Sequence, residues 1–228
     1  MSPIVDHRGL PFEREQLQEA QTARLASLRS EWENHPSRGL TPPKLAAILQ
    51  RAEQGDITAQ HELFADMEEK DAHLFSEMQK RRLALQTLDW TVVPPANASA
   101  AEKDLAAFAK DMLGAITDIE DVIFDMSDAI GHGFAGLELS WQQLGKELLP
   151  VKAEHRPQGW FCLPTSPEAN RNELRLRNGQ VDGEALWPFG WILHTHKARS
   201  GYTSRQGLYR VLAWPFIFKN FAVRDLAE

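Results

Sequence analysis

Two histidines one residue apart, His194 and His196, are the most chemically suggestive pair in the chain. On a β-strand, residues i and i+2 project from the same face, so the two imidazoles could share a metal ion. Such a site needs three or four ligands. No cysteine or carboxylate stands at a recognisable spacing from this pair, so it is read as two histidines on the solvent face of a strand. A second group is acidic: Asp118, Glu120, Asp121, Asp125 and Asp128. Asp121 and Asp125 fall one helical turn apart and could bridge a divalent cation, but the glycine pattern of a calcium loop is missing. A polar helix face explains them better. The run Gly131-His132-Gly133-Phe134-Ala135-Gly136 has the glycine density of a phosphate-cradling loop in the wrong order. A dinucleotide loop follows a strand and opens a helix, whereas these glycines follow a predicted helix and open a predicted strand. Cys162, between Phe161 and Leu163, reads as a buried, unreactive thiol. Nucleophile-elbow, Walker and zinc-protease patterns are absent. No catalytic residue, metal ligand or cofactor site is assigned, and the protein is read as a non-enzyme. A metal-dependent hydrolase using His194, His196 and the acids near Asp121 is the minor alternative.

The elements that would position these residues fall into two blocks, helices first and strands second. Residues 1–40 read as a mobile arm, with one helix expected over Gln16–Trp32 before His35-Pro36 breaks it. Thr41-Pro42-Pro43 starts a helix through Lys44–Glu53, because a threonine cap followed by proline suits a first turn. Spacings of three and four among Leu63, Phe64, Met67, Leu74, Phe75, Met78, Leu85 and Leu88 predict one long helix over 59–88, capped by Asp56 or Thr58. Asp89–Val93 is a predicted strand that Pro94-Pro95 stops. Two helices are expected next. Residues 100–113 would turn Leu105, Phe108, Met112 and Leu113 inward, and residues 119–130 would do the same with Ile119, Val122, Ile123, Met126 and Ile130.

From Leu137 the period becomes two, with Leu137, Leu139 and Trp141 alternating with Glu138 and Ser140. Further strands are expected at 148–154, 160–163 and 191–196. A hairpin is expected with Leu174 and Leu176 on one side and Val181 on the other, turned by Asn178-Gly179 in a type I′ geometry. A loop over 201–206 precedes a last helix. That order gives an α+β class, helices packed on a mainly antiparallel sheet. The chain stops at Glu228 inside that helix without a helix-ending signal, which reads as a truncation.

The net charge of −7 leaves no broad basic field with which to hold phosphates, so sequence-specific nucleic-acid binding is not expected. An acidic wall would instead let DNA slide past. One cysteine gives no internal disulfide, and a reducing compartment is expected. No signal peptide and no apolar run of about 18 residues is found, so no membrane span is expected. Several of the seven tryptophans sit at the ends of predicted elements, where indoles commonly bury against partners.

Four blocks carry a resemblance. Asp71-Ala72-His73-Leu74 with Lys80-Arg81-Arg82-Leu83-Ala84-Leu85 and Leu88-Asp89-Trp90-Thr91-Val92-Val93-Pro94 is the first. It resembles a portal-protein helix that carries arginine and runs into a Trp-containing strand. Ile130 through Gly133-Phe134 to Glu138-Leu139-Ser140-Trp141 is the second. His155-Arg156-Pro157 with Trp160-Phe161 is the third. His194-Thr195-His196-Lys197, Gly207-Leu208-Tyr209-Arg210 and Phe218-Lys219-Asn220-Phe221 make the fourth, and the last two are similar to the phage Mu-like portal proteins.

The resemblance implies a structural subunit in a ring of about a dozen copies at a capsid vertex. Such a ring conducts double-stranded DNA without sequence specificity and docks terminase, head–tail adaptor and capsid proteins. It would reside in the virion, and in the host cytoplasm during assembly. Residues 41–206 would be the wing-like domain, and 207–228 the start of a helix leading to stem, clip and crown. Arg81, Arg82, Trp90, Phe134, Glu138 and Trp141 are the motif positions expected to serve interactions. A scaffold or adaptor domain of another assembly is the alternative.

Overall fold

The structure is a computed structural model that describes residues 5–6, 8–11, 17, 19–24, 36–144 and 147–227. Of the helix expected over Gln16–Trp32, a 3-10 turn at Gln21–Arg24 is seen, and residues 25–35 lie outside the described residues.

Helix α1 spans Pro42–Glu53, with the Thr41 hydroxyl accepting from the Lys44 N–H as the sequence leads one to expect. The long helix predicted over 59–88 is two helices, α2 (Thr58–Lys70) and α3 (Ala72–Gln86). Asp71 divides them. Its backbone is extended (φ −109°, ψ 97°), and its carboxylate accepts from the His73 and Leu74 N–H groups at 3.1 and 3.3 Å. A side chain that caps a new helix there wins over continuation of the old one. Hydrophobic spacing runs on across the break, which is why periodicity hides it. At the start of α2, Ile57 holds the cap position without a side-chain bond, and the expected Asp56 one residue earlier accepts from the Thr58 N–H at 3.4 Å. Only Met78 and Arg82 of α3 are buried.

The strand predicted at Asp89–Val93 does not form. Residues 89–95 are neither helix, strand nor turn, and Trp90 and Val93 are exposed. Helix α4, Ala100–Gly114, opens with a capping box of Ser99 and Glu102. It buries no residue, and the expected inward positions Leu105 and Phe108 are exposed. The helix predicted over 119–130 divides at Asp128 into α5 (Ile119–Ser127) and α6 (Ala129–His132), and Gly133 closes it with φ +96°.

Strand β1 (Phe134–Leu144) lies between β2 (Glu147–Arg156) and, farther along the chain, β6 (Trp191–Thr195), antiparallel to both. A smaller sheet contains β3 (Phe161–Cys162), β4 (Arg175–Leu176) and β5 (Glu184–Ala185) in that order. Here the predicted hairpin is corrected. The partner of β4 is β5, whereas Val181 is 80% exposed in the connection. A type I′ turn needs positive φ at both central residues, and only Gly179 has it (φ +84°).

Helix α7, Leu208–Ala227, contains Pro215. Its buried residues Tyr209, Ala213, Phe216 and Ile217 join Leu45, Leu49, Leu63, Phe64 and Met67 of α1 and α2 in the helical core. Phe134, Phe161, Leu174 and Leu176 form the core between the sheets. The architecture is α+β. Where α6 meets the start of α7, a Cβ on Gly131 would run into the Tyr209 ring, and one on Gly207 into the Gly131 carbonyl. Glycine is therefore required at both places by close approach.

Candidate functional site

The densest chemistry lies where α5 gives way to α6. Asp128 accepts from Arg82 Nη2 through Oδ1 (2.6 Å) and from Gln158 Nε2 through Oδ2 (2.5 Å). His155 Nε2 and His132 Nε2 lie 3.5 and 3.9 Å from the same Oδ2. Arg82 grips Glu68 with both terminal nitrogens, and the Tyr209 hydroxyl donates to Glu68 Oε2. Behind this group, His132 Nδ1 meets His61 Nδ1 at 3.0 Å. One ring must donate and the other accept, so the pair is most stable when both are neutral. Side chains from α3, α6, β2 and the 3-10 turn after β2 thus converge on Asp128, and Glu68 of α2 with Tyr209 of α7 joins them through Arg82.

Burial by itself would raise the Asp128 pKa, but His132, His155 and Arg82 outweigh it and hold this carboxyl well below its usual range. Burial pushes both His61 and His132 down, and their mutual repulsion adds to this at His61. Burial pushes the Tyr209 hydroxyl up, and the charge and hydrogen bond of Glu68 push it further.

A cavity of about 440 Å³ opens beside this group, with Thr58, Glu62, Trp160 and Arg177 among its walls. The Gln158 amide nitrogen sits 2.5 Å from Asp128 Oδ2 and 3.3 Å from His155 Nε2, in the space a cation would need. Among the described residues no group of three His, Cys, Asp or Glu side chains could hold a metal. What the arrangement does is clamp: charge-assisted bonds fix six elements to each other.

The six motif positions are not gathered into one place. Arg82 is part of the clamp, whereas its neighbour Arg81 is exposed. Phe134 is buried edge-on against Phe161 and His61, with ring centroids 5.5 and 5.1 Å away. Glu138 is buried and tethers the N-terminal residues. It accepts from the Thr22 N–H (3.0 Å), the Thr22 hydroxyl (2.5 Å) and Arg156 Nε (2.9 Å). Trp141 is half-buried and donates through Nε1 to the Phe189 carbonyl at 2.8 Å. Trp90 stands on the exposed connection between α3 and α4.

Glu138→Ala is expected to lower stability by about 1–3 kcal/mol, because it strands two Thr22 donors and leaves Arg156 with Glu154 as its remaining carboxylate partner. Limited proteolysis should then cut within residues 17–24 markedly faster than in the parent, and equal rates would contradict the tether.

His194 is half-buried, and burial followed by the charge of His196 lowers its pKa. Asp118, Asp121 and Asp125 line a shallow groove with Lys152 and Glu154. Cys162 is buried, its thiol pushed up to about 11 by burial, consistent with an unreactive side chain. Sequence reading missed Glu68, His61, His132, His155, Gln158 and Tyr209. Tyr209 and Glu68 alone are 141 positions apart, and no local spacing marks a contact of that kind.

A family model described as the portal protein of Mu bacteriophage matches residues 61–228. The chain belongs to that family. The matched range holds every member of the clamp from His61 to Tyr209, whereas the tethered Thr22 falls outside it. The portal protein of Escherichia phage Mu is 46% identical over 228 residues, covering all of this chain. A Haemophilus influenzae protein named Mu-like prophage FluMu protein gp29 is 46% identical over 230 residues, again across the whole chain. The chain spans 44% of the length of each of these two relatives. Among the described residues no helix is long and apolar enough to cross a membrane.

Proposed function

We propose that this chain is part of the structural subunit of a phage portal ring at a capsid vertex, serving as DNA conduit and as docking platform for terminase, head–tail adaptors and capsid protein. Membership of the Mu portal family carries this reading. A ring of about a dozen copies is what the resemblance implies, and head-to-tail contacts whose rotation closes would build it. In this reading the molecule is a frame and not an enzyme, and its charge converges on a clamp instead of a substrate site. Residues 41–206 form the wing-like body with 207–228 leading away from it. Arg82, Phe134, Glu138 and Trp141 hold the body together, while exposed Arg81 and Trp90 are available to partners. The net charge of −7 suits a wall past which phosphates move without sticking. The virion vertex, after assembly in the host cytoplasm, is the place such a subunit works.

Negative-stain electron microscopy of the complete reading frame that carries this chain tests the proposal. Closed rings with a central channel are expected. A uniform monomer or small compact oligomer at high protein concentration would favour a scaffold or adaptor domain of another assembly.

A further inference from the structure

Two hydrogen-bonding surfaces are left over on this molecule, and each has what the other lacks. The first is the connection between α3 and α4. Its sequence Trp90-Thr91-Val92-Val93 has the β-branched and aromatic composition of a strand, and Pro94 and Pro95 bias the preceding residues toward extended conformations. Nevertheless it pairs with nothing. Among the described residues, no backbone or side-chain hydrogen bond is made from 89 to 94. Trp90 is 41% and Val93 74% exposed, and Leu105 and Phe108 of the adjoining α4 are exposed as well.

The second surface is the outer edge of β6. The partners Ala135↔His194 and Leu137↔Ile192, with the flanking bonds His196 N–H to Gly133 O and Leu139 N–H to Gly190 O, turn the even-numbered residues of β6 toward β1. Trp191, Leu193 and Thr195 therefore present their N–H and C=O groups outward, where no described residue meets them. Each of the other outer strands carries at least one bond to a neighbouring segment. The Thr117 N–H bonds to the Val151 carbonyl of β2, the Leu163 N–H just after β3 to the Gly55 carbonyl, and Gln21 Nε2 to the Ala185 carbonyl of β5. Beside β6 runs a groove of about 740 Å³ whose walls include Leu174, Leu186, Trp187, Trp191 and Leu193. Asp6, Arg8, Asn170 and Glu173 line the same groove. An open strand edge next to a groove with apolar and polar walls suits an added strand: the edge supplies main-chain bonds and the groove takes alternate side chains.

These two surfaces do not meet within one chain. The 89–95 segment joins α3, which packs on α5, to α4, which packs on β2, whereas β6 is at the other end of the order β2-β1-β6. Donor and acceptor thus flank opposite edges of one sheet, the geometry of a head-to-tail contact between copies. We propose that Trp90–Val93 of one copy adds as a strand to the β6 edge of the next, with the occupant of the groove being a second copy of this chain. This inference rests on the ring reading above and names its contact. Pro94 and Pro95 end the added strand because they have no N–H to donate, so the ladder is about as long as β6 itself.

Disulfide trapping in the complete reading frame tests it. Cysteine replaces Thr91 or Val93 on the donor together with Leu193 or Thr195 on the edge, four pairings for the registers in which these residues share a face, and cysteine at Val92 with the same two edge positions covers the register slipped by one residue. Thr91, Val93, Leu193 and Thr195 are exposed, so folding is expected to survive, and a disulfide forms only where Cα atoms come within about 7 Å. Oxidised glutathione is the oxidant. Buried Cys162 stays in place as background, which the single-cysteine proteins measure.

At least one pairing is expected to give a ladder of covalent multimers, at least about tenfold above either single-cysteine protein. A mixture of the two singles should give covalent dimers only. A disulfide confined to one chain, with mass unchanged, would overturn the proposal. Rings seen by microscopy with no disulfide in any pairing would overturn this contact and leave the ring standing. Absence of both rings and disulfides would overturn the two together.

Discussion

Replacing Arg82 with alanine is expected to lower the unfolding free energy by about 3–5 kcal/mol, because it leaves two carboxylates, Glu68 and Asp128, side by side without their shared cation. In a domain of this size that is a drop in melting temperature on the order of 10 °C. Arg82 has a side-chain exposure of 8%, with Glu68 at 13% and Asp128 at 18%, so water can compensate only a little of the loss. Burial opposes the charge on Arg82, yet Glu68 and Asp128 raise its pKa beyond the ordinary arginine range, and the cation is retained at any working pH. Arg82→Lys keeps the charge but loses the fork that grips two partners at once, and should recover only part of the stability. Thermal melts of both variants and the parent decide this. A loss under about 1 kcal/mol in Arg82→Ala would mean that the clamp is an ornament of the fold.

The second large effect is acid sensitivity. Burial lowers the folded-state pKa of both His61 and His132, so between pH 6.5 and 5 the unfolded chain takes up protons that the folded one refuses. Stability is therefore highest above the ordinary histidine range and falls as pH drops below it. Each histidine contributes a slope of about 1.4 kcal/mol per pH unit. Asp128 works in a different window. Its folded pKa is held below the usual carboxylate value, so its stabilisation is intact throughout this interval and is lost only in stronger acid. Glu68 and Arg82 face His132 with charges of opposite sign.

Urea midpoints at pH 7.5, 6.5 and 5.5 should fall in that order. His61→Phe should reduce the slope by about one histidine's share while lowering the midpoint at every pH, since the ring fits among Phe64 and Phe134 but the Nδ1–Nδ1 bond to His132 is lost. Midpoints that stay level from pH 7.5 to 5.5 would refute the account.

The parts of the fold that could be read from the sequence are those decided by neighbours in the chain. Thr41 caps the helix it was expected to cap, Gly133 ends one, and the alternation from Leu137 to Trp141 is a strand, whereas the Ser99–Glu102 capping box was not anticipated. Asp71 was hidden because an apolar spacing of three and four continues from Met67 to Leu74 while the backbone does not. Asp89–Val93 has the composition of a strand, but a strand is made by its partner, and among the described residues there is none. Val181 lost its place to β5 because the Asp182 carboxylate accepts from the Thr165 and Ser166 N–H groups and holds the connection wide. For the site, Arg82 and Glu138 stood out through a resemblance. His132, His155 and Tyr209 lie within the resembling blocks but were given no role there, and Glu68 lies outside them, because the four come together only after every helix has been packed.

Pro215 gives α7 an uneven stiffness. A proline inside a helix withholds one N–H and presses against the carbonyl four residues back, here that of Val211. The helix is about 30 Å long by its rise per residue, with Tyr209, Ala213, Phe216 and Ile217 seated in the core on both sides of that weak rung. Residues 222–226 are exposed. A load on the far end thus meets a lever whose weak rung, between exposed Val211 and Pro215, lies on the solvent side of a helix held in the core by Tyr209, Ala213, Phe216 and Ile217, so bending would open that side first.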